Sequence, residues 1–499
     1  MCPPGTTVWT PFETTPIIEN PNCPKIMAPS AISPMVSNMT TSHPNGGATE
    51  SKRAYAKQLI SNALQERIDI IDCDNCEPGG EDAFFVGDLG EVYRQHMRWK
   101  RNLPRVEPFY GKVNHCPFYN ILTNFFFLLA VKCNPNKTVL RLLAALGTGF
   151  DCASKTEIQT ILDMGVSPTR IVYAHPCKTS SYIRYASQVD VQMMTFDNAE
   201  ELVKIHKFYP NAKLILRILT DDSKALCRLS LKYGAPLETT RGLLELASRL
   251  GLNVIGVSFH VGSGSYDPTA FIRSVEDARR VFDEAAEFGY DLKTLDVGGG
   301  YGPDSFESVA SLLGPALDKF FPPSVRIIAE PGRYYVASAF TIATHVIARR
   351  TVVNDGIPSY MLYLNDGVYG NFSGKLFDHQ NPVAKVLKHN NDYFYEVPES
   401  DSRLIKYSIW GPTCDSLDCI DDNCYLPETV DVGDWLYFTG MGGMFFILLH
   451  LFVYVVQKLI LCITAYSQAS ATKFNGFTDD HKVVFVYSEA GARALLEVD

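Results

Sequence analysis

The feature that most constrains this chain is an alternation. From about residue 106 to 336, short β-branched and apolar runs take turns with helical stretches. RIVYA (170–174) is followed by SSYIRYASQ, and VQMMTF (191–196) by NAEELVKIHKF. The series continues through KLILRIL (213–219), NVIGVSFH (253–260), TLDVGGG (294–300) and VRIIAEPG (325–332). A helix after each strand returns the chain to the same end of the sheet, so the strands must run parallel. A series of this length closes naturally on itself, and the fold class expected is α/β with a (β/α)8 TIM-like barrel.

Beyond about residue 337 helical signals thin out. AFTIATHVIARRTVV, SYMLYLND, RLIKYSIWG, VGDWLYF and KVVFVYS read as strands of a mostly antiparallel β-sheet or β-barrel domain. At the other end, residues 1–50 are rich in Pro, Thr, Ser and Asn without apolar periodicity and read as a disordered tail. SKRAYAKQLISNALQERID then spaces its apolar residues as an amphipathic helix does, and EDAFFVGDLGEVYRQHMRW reads as a strand followed by a helix. The organisation expected is a tail over 1–50, a helix/strand segment over 51–105 that packs on the β domain, a barrel over 106–336 and a β domain over 337–499.

Two apolar runs interrupt this pattern. Residues 443–464 (GMFFILLHLFVYVVQKLILCIT) are long enough to cross a bilayer, but core strands flank them, and spanning would tear that domain open. Residues 111–129 (GKVNHCPFYNILTNFFFLL) are similar in kind. Both open on Gly and precede Ala. Gly-Lys is encodable by GGTAAG and Gly-Met by GGTATG, which resemble intron starts. Both segments are therefore expected to be retained-intron-like insertions, and no membrane association is expected.

The net charge of −10 offers no basic block to a nucleic acid, so none is expected as a partner. The start, MCPPGTTVWTP, has neither a basic n-region nor an apolar h-region, so no secretory signal is read there. Thirteen scattered cysteines suit reduced thiols and a cytoplasmic location. Cys73 and Cys76 form a C-x-x-C in DCDNCE with no partner histidine in the sequence nearby; it reads as a surface loop, and no metal is expected.

Polar residues gather at the ends of the barrel strands, where such barrels build active sites. Lys132 follows AV, Asp151 follows LGTGF, His175 follows IVYA, Arg217 ends KLIL, and His260 ends GVSF. Gly298, Gly299 and Gly300 follow TLDV, and Glu330 follows VRIIA. Singly each has a plain structural reading: a core histidine, a tight turn, a snorkelling lysine. Together they describe a catalytic mouth. A lysine at the tip of an apolar strand suits Schiff-base chemistry. Glycines at a strand end let backbone N–H groups approach a phosphate, and Arg333 adds charge to it. An acid such as Glu330 can hold a pyridine nitrogen protonated while an imidazole stacks on the ring. Pyridoxal 5'-phosphate is the cofactor that needs this set.

The runs AVKCN, GTGFDCASKTEIQ, RIVYAHPCK, VQMMTFD, LRILTDDSKALCRLS, GVSFHVGSGSYDP, LDVGGGY, RIIAEPGRYYVASAF, NDGVYGNF, WGPTCDSLD and FNGF closely resemble the eukaryotic ornithine decarboxylases, from about residue 80 to 490. The resemblance implies that Lys132 carries the cofactor, that Glu330 pairs with its ring nitrogen and that His260 stacks on the ring. Asp151, Glu157 and Arg217 match supporting positions. Ser263, Gly298, Gly299, Gly300, Arg333 and Tyr466 match phosphate contacts. Cys414 matches the residue that controls protonation of the α carbon. Asp378 and Asp415 match acids that hold the distal amine, with Tyr369 and Phe474 beside the substrate; Phe377 stands where many relatives have Tyr. The implied reaction is loss of CO2 from L-ornithine and protonation at the α carbon, giving putrescine for polyamine biosynthesis.

By the same resemblance the chain forms a homodimer with shared sites, Lys132 and His260 coming from one subunit and Cys414, Asp415 and Asp378 from the other. Antizyme enters only as a family expectation. A non-catalytic antizyme-inhibitor-like homologue, or a decarboxylase for another basic amino acid such as lysine, are the alternatives.

Overall fold

Eight parallel strands close into a barrel. The computed structural model describes residues 46–73, 75–110, 133–265, 267–354, 357–377, 380–397, 404–427, 429–442 and 482–497. The chain divides into two compact units, Met1–Thr49 and Glu50–Asp499, and the second holds every strand described here. In chain order the strands are β1 (Phe84–Asp88), β2 (Val106–Tyr110), β3 (Gly149–Cys152), β4 (Ile171–Tyr173), β5 (Met193–Phe196), β6 (Lys213–Arg217), β7 (Ala225–Cys227), β8 (Asn253–Ser258), β9 (Ser263–Ser265), β10 (Thr294–Asp296), β11 (Arg326–Ala329), β12 (Phe340–Asn354), β13 (Ile357–Leu364), β14 (Lys385–His389), β15 (Asp392–Tyr393), β16 (Ile405–Trp410), β17 (Cys419–Leu426), β18 (Trp435–Phe438) and β19 (Lys482–Val486). The barrel runs β2-β3-β4-β5-β6-β8-β10-β11 and closes through β11 and β2, where Ile327 pairs with Val106.

Side chains fill the barrel's interior. Phe109, Val172, Ala174, Met193, Ile215 and Ile328 form a buried cluster contributed by separate strands. That is the layered packing of a solid barrel, so ligands can be handled only at its mouth. Helices around it start at readable signals. Asn198 caps Ala199–Phe208 by accepting the Glu201 N–H at 2.8 Å, and losing such a cap costs about 1 kcal/mol. Trp99, in helix α2 (Leu89–Asn102), stacks on Phe306 at 5.2 Å and meets Tyr301 and Tyr334 edge-on. Its indole N–H donates to the Val106 carbonyl at 2.9 Å, which locks α2 to the first barrel strand.

The second part is a nine-stranded sheet in the order β15-β14-β18-β12-β13-β16-β17, with β1 and β19 attached. Only the β13–β16 and β1–β19 pairs are parallel. β12, fifteen residues long, is its spine: its first half pairs with β1 and β18, its second with β13. Helix Gly46–Asp69 lays Ala63, Leu64 and Ile68 against Phe84, Leu387, Trp435 and Tyr437, the face its apolar spacing predicts. The sequence did not announce the small two-stranded antiparallel sheet β7–β9, in which Ala225 faces Ser265. Among the described residues no helix is long and apolar enough to cross a membrane. Both apolar insertions lie outside the described residues, although β2 ends at Tyr110, directly before the first.

Candidate active site

Charged residues occupy the C-terminal ends of the barrel strands. Asp151 lies in β3, Arg217 closes β6, Asp296 closes β10 and Glu330 follows β11 directly; all four are buried. Ionisable groups in such places are expensive unless neutralised or paired, so their company matters.

His260 follows β8 and is pinned at both ends. Its Nδ1 accepts the Gly262 N–H at 3.0 Å, and its carbonyl accepts the Thr220 hydroxyl at 2.8 Å. An accepting Nδ1 leaves Nε2 to carry the hydrogen in the neutral ring. Below the ring runs the glycine turn. Gly298 and Gly300 hold φ of 62° and 108°, a region that side-chain-bearing residues avoid. A methyl group at Gly299 would sit 2.7 Å from His260 Nε2 and 2.9 Å from the Glu330 carbonyl oxygen. The turn, the imidazole and the Glu330 backbone therefore converge with no room to spare. The Glu330 N–H donates to the Gly298 carbonyl at 2.6 Å, and the Gly298 N–H to Asp296 Oδ1 at 2.9 Å.

Asp296 is absent from the residues that the sequence singles out. Burial first, and then the neighbouring Glu330 carboxylate, push its pKa well above the usual carboxylate range. Its Oδ2 has no hydrogen-bond partner among the described residues. Burial and the nearby Glu330 carboxylate both disfavour the charged form of Asp296. Tyr301, fully buried with its hydroxyl unpartnered among the described residues, is held un-ionised by burial and by the same pair. The only sequence hint is the acid closing the strand in TLDVGGG, a position that reads as a turn cap, which the Gly298 bond shows it also is.

Beyond the turn, Arg333 opens the short helix Arg333–Val336 and its guanidinium donates to Ser263 Oγ at 3.4 Å. Strand β9 begins with that serine. The Arg217 guanidinium lies 5.5 Å over the Tyr233 ring. Glu157 shapes the backbone beside it. Its Oε2 accepts the Ala153 N–H at 2.5 Å, at the start of helix Lys155–Asp163, while Ser154 Oγ accepts the Glu157 N–H. His175 Nδ1 accepts the Cys177 N–H at 3.0 Å. Close by, the fully buried Lys178 reaches Glu201 at 2.8 Å, the Thr195 carbonyl at 2.6 Å and the His175 carbonyl at 3.0 Å. Burial pulls its pKa down, against the opposing pull of Glu201.

A second cluster forms beyond β13 and β16. The Tyr369 hydroxyl donates to the Asp415 carboxylate, and burial followed by that acid raises the phenol's pKa. Asp418 holds the loops in place by accepting from Val368 N–H at 2.8 Å, Thr413 N–H at 3.0 Å and the Thr413 hydroxyl at 2.6 Å. Cys414 stands exposed next to Asp415. Lys132, Asp378, Tyr466 and Phe474 lie outside the described residues, as does the side chain of Phe377.

Residues 114–337 match the model of the pyridoxal-dependent decarboxylase, pyridoxal binding domain. Over 470 residues the chain is 53% identical to an ornithine decarboxylase of Neurospora crassa, with 89% of each chain covered. The chain belongs to the ornithine decarboxylase family. Not every relative is named for that activity: antizyme inhibitor 2 of Xenopus laevis is 48% identical over 411 residues, covering 79% of each chain. Among solved structures, the arginine decarboxylase of Paramecium bursaria Chlorella virus, bound to agmatine, superimposes with a TM-score of 0.68 at 33% identity, covering 81% of this chain and 97% of that one.

The residues at this family member's barrel mouth suit pyridoxal phosphate. The three glycines keep clear a space that added Cβ atoms would fill, with Phe259 O only 2.1 Å from one at Gly298 and Gly262 O 2.6 Å from one at Gly300. An arginine and a serine hydroxyl meet beyond that turn, as an anion requires, and a buried acid stands at the next strand end. The family's cofactor is pyridoxal phosphate.

Proposed function

We propose that this chain decarboxylates L-ornithine to putrescine and CO2 at the barrel mouth. The observation that carries the reading is the convergence of the Glu330 backbone, His260 and the 298–300 turn in a space too tight for one methyl group. In this reading Lys132 binds the cofactor, Ser263, Arg333, the glycine turn and Tyr466 hold its phosphate, and Glu330 faces its ring nitrogen. When bound, pyridoxal phosphate supplies the electron sink. His260 would stack on the cofactor ring, and its Nδ1, tied back to the Gly262 N–H, sets the imidazole's orientation before substrate arrives. Asp415, steadied by Tyr369, and Asp378 bind the distal ammonium; Cys414 holds a proton at Sγ for the α carbon.

Those last residues belong to the other subunit of a homodimer in this proposal, which is supported by their position in the sequence, after residue 337 and away from the barrel strands. Asp151, Glu157 and Arg217 support the mouth, and Phe474 borders the substrate. Binding to antizyme and a cytoplasmic location complete the reading.

Release of CO2 from ornithine, lysine and arginine under identical conditions tests the proposal: ornithine should be preferred, and a preference for either other amino acid would overturn the substrate assignment. Purified protein should also absorb visible light from bound cofactor. A colourless, inactive protein would instead favour a role like that of the antizyme inhibitor relative. Lys132→Ala should abolish both the colour and the turnover.

A further inference from the structure

The C-x-x-C at Cys73 and Cys76 lacks a histidine nearby in sequence, but the fold brings one. His345, in the first half of β12, turns Nε2 toward Cys73 Sγ at 4.0 Å. Donor atoms of Cys73, Glu81 and His345 all lie within 4.8 Å of one another. Cys76 Sγ stands 3.6 Å from the Glu81 carboxylate. We propose that Cys73, Glu81 and His345, with Cys76 as the fourth donor, bind a zinc-class divalent cation that ties the segment between helix Gly46–Asp69 and β1 to the spine of the sheet.

The donor chemistry selects the ion. Two thiolates, an imidazole and a carboxylate suit a borderline-soft ion in tetrahedral coordination, and not calcium or magnesium. With metal–ligand bonds of about 2.0–2.3 Å, tetrahedral donors stand roughly 3.3–3.8 Å apart. Drawing Cys73, Glu81 and His345 onto one ion needs a contraction of at most about 1.5 Å, within reach of an exposed Cys73, and Cys76 joins them from beside the Glu81 carboxylate it contacts.

Surrounding bonds hold the donors in place. The Asn365 side chain accepts the His345 N–H at 2.9 Å and donates to the Glu81 carbonyl at 2.7 Å, so one residue fixes the backbones of two donors. The His345 ring stacks on Trp435 with centroids 5.0 Å apart. The Cys76 N–H donates to the Asp72 carbonyl at 2.7 Å, and Arg67 donates to the Gly80 carbonyl at 3.2 Å. None of these residues serves the barrel mouth, so the proposal stands apart from the decarboxylase reading. On binding, both thiols release their protons to solvent.

Cobalt titration of the chelator-treated full chain tests it. About one Co2+ per chain should bind, with near-ultraviolet thiolate-to-cobalt absorption that Zn2+ abolishes by displacement. Zn2+ should also raise the melting temperature. Cys73→Ser, at an exposed position, should weaken binding at least about tenfold and remove part of the absorption, and His345→Gln should weaken it similarly. If the full chain takes up no Co2+, or if a Cys73→Ser/Cys76→Ser double variant keeps the same band, the inference is wrong.

Discussion

Two buried side chains give predictions that belong to single residues. If Asp296 works by donating a proton toward Glu330, an amide can replace it. Asp296→Asn should bind pyridoxal phosphate within about threefold of the parent, because its N–H can still meet Glu330. Asp296→Val leaves Glu330 and the Gly298 N–H without that partner and should weaken binding at least about tenfold. Titrating the cofactor-free protein reads both. An Asn variant as damaged as the Val variant would show that Asp296 acts as an anion. His96 gives a second case. It is buried in α2 with Nδ1 3.0 Å from the Tyr335 hydroxyl, and burial, helped by Lys100, pushes its pKa from 6.5 down to about 4. The folded chain prefers the neutral ring, so the unfolded chain takes up the proton first as pH falls. This contribution is therefore complete above pH 6.5 and is lost progressively down to about pH 4, amounting to about 3 kcal/mol. Denaturant melts between pH 4 and 7 should show a shallower acid limb for His96→Gln than for the parent.

At the scale of elements, the Lys178–Glu201 pair joins the loop after β4 to the helix Ala199–Phe208, with Lys204 2.5 Å from the same carboxylate. Lys178→Met removes a buried cation and three contacts, and should cost about 3 kcal/mol. Lys178→Met/Glu201→Leu should recover much of that loss, since a buried pair replaced whole costs less than a pair broken. A double variant no more stable than the single one would mean that the backbone contacts of Lys178, not the ion pair, hold the loop. This tie also marks what the sequence could not disclose. The barrel strands were legible because the β-branched runs recur between helical stretches, and a helix start was legible at Asn198. The β7–β9 pair was not, since three-residue strands carry no period. Lys178 sits in the run RIVYAHPCK, yet its burial depends on an acid 23 residues away. In the same way, no local pattern could place His345 beside Cys73. Strand ends predict which residues reach the mouth; they do not predict which of them lie close enough to alter one another's ionisation.

The whole molecule raises the question of how two apolar runs coexist with a closed barrel and a sheet built around one spine. β2 stops at Tyr110 and the described chain resumes at Cys133, next to the lysine proposed to hold the cofactor. On the other side, the described chain pauses at Gly442 and resumes at Lys482, the first residue of β19. In sequence the first run ends shortly before Lys132, and the second shortly before Tyr466 and Phe474. β19 pairs in register with β1, Phe84 facing Lys482, so the sheet is completed across the second break. By composition each run is strongly apolar, and each adjoins in sequence a place where the proposed site needs tight geometry. Expressed without 111–129 and 443–464, the chain should be more soluble and should release CO2 from ornithine at least about tenfold faster per molecule than the 499-residue chain. Sequencing of the transcript should find both segments absent from mature message. Equal activity of the two proteins, with both segments retained in abundant message, would make the runs genuine parts of the enzyme and would require the barrel mouth to accommodate them.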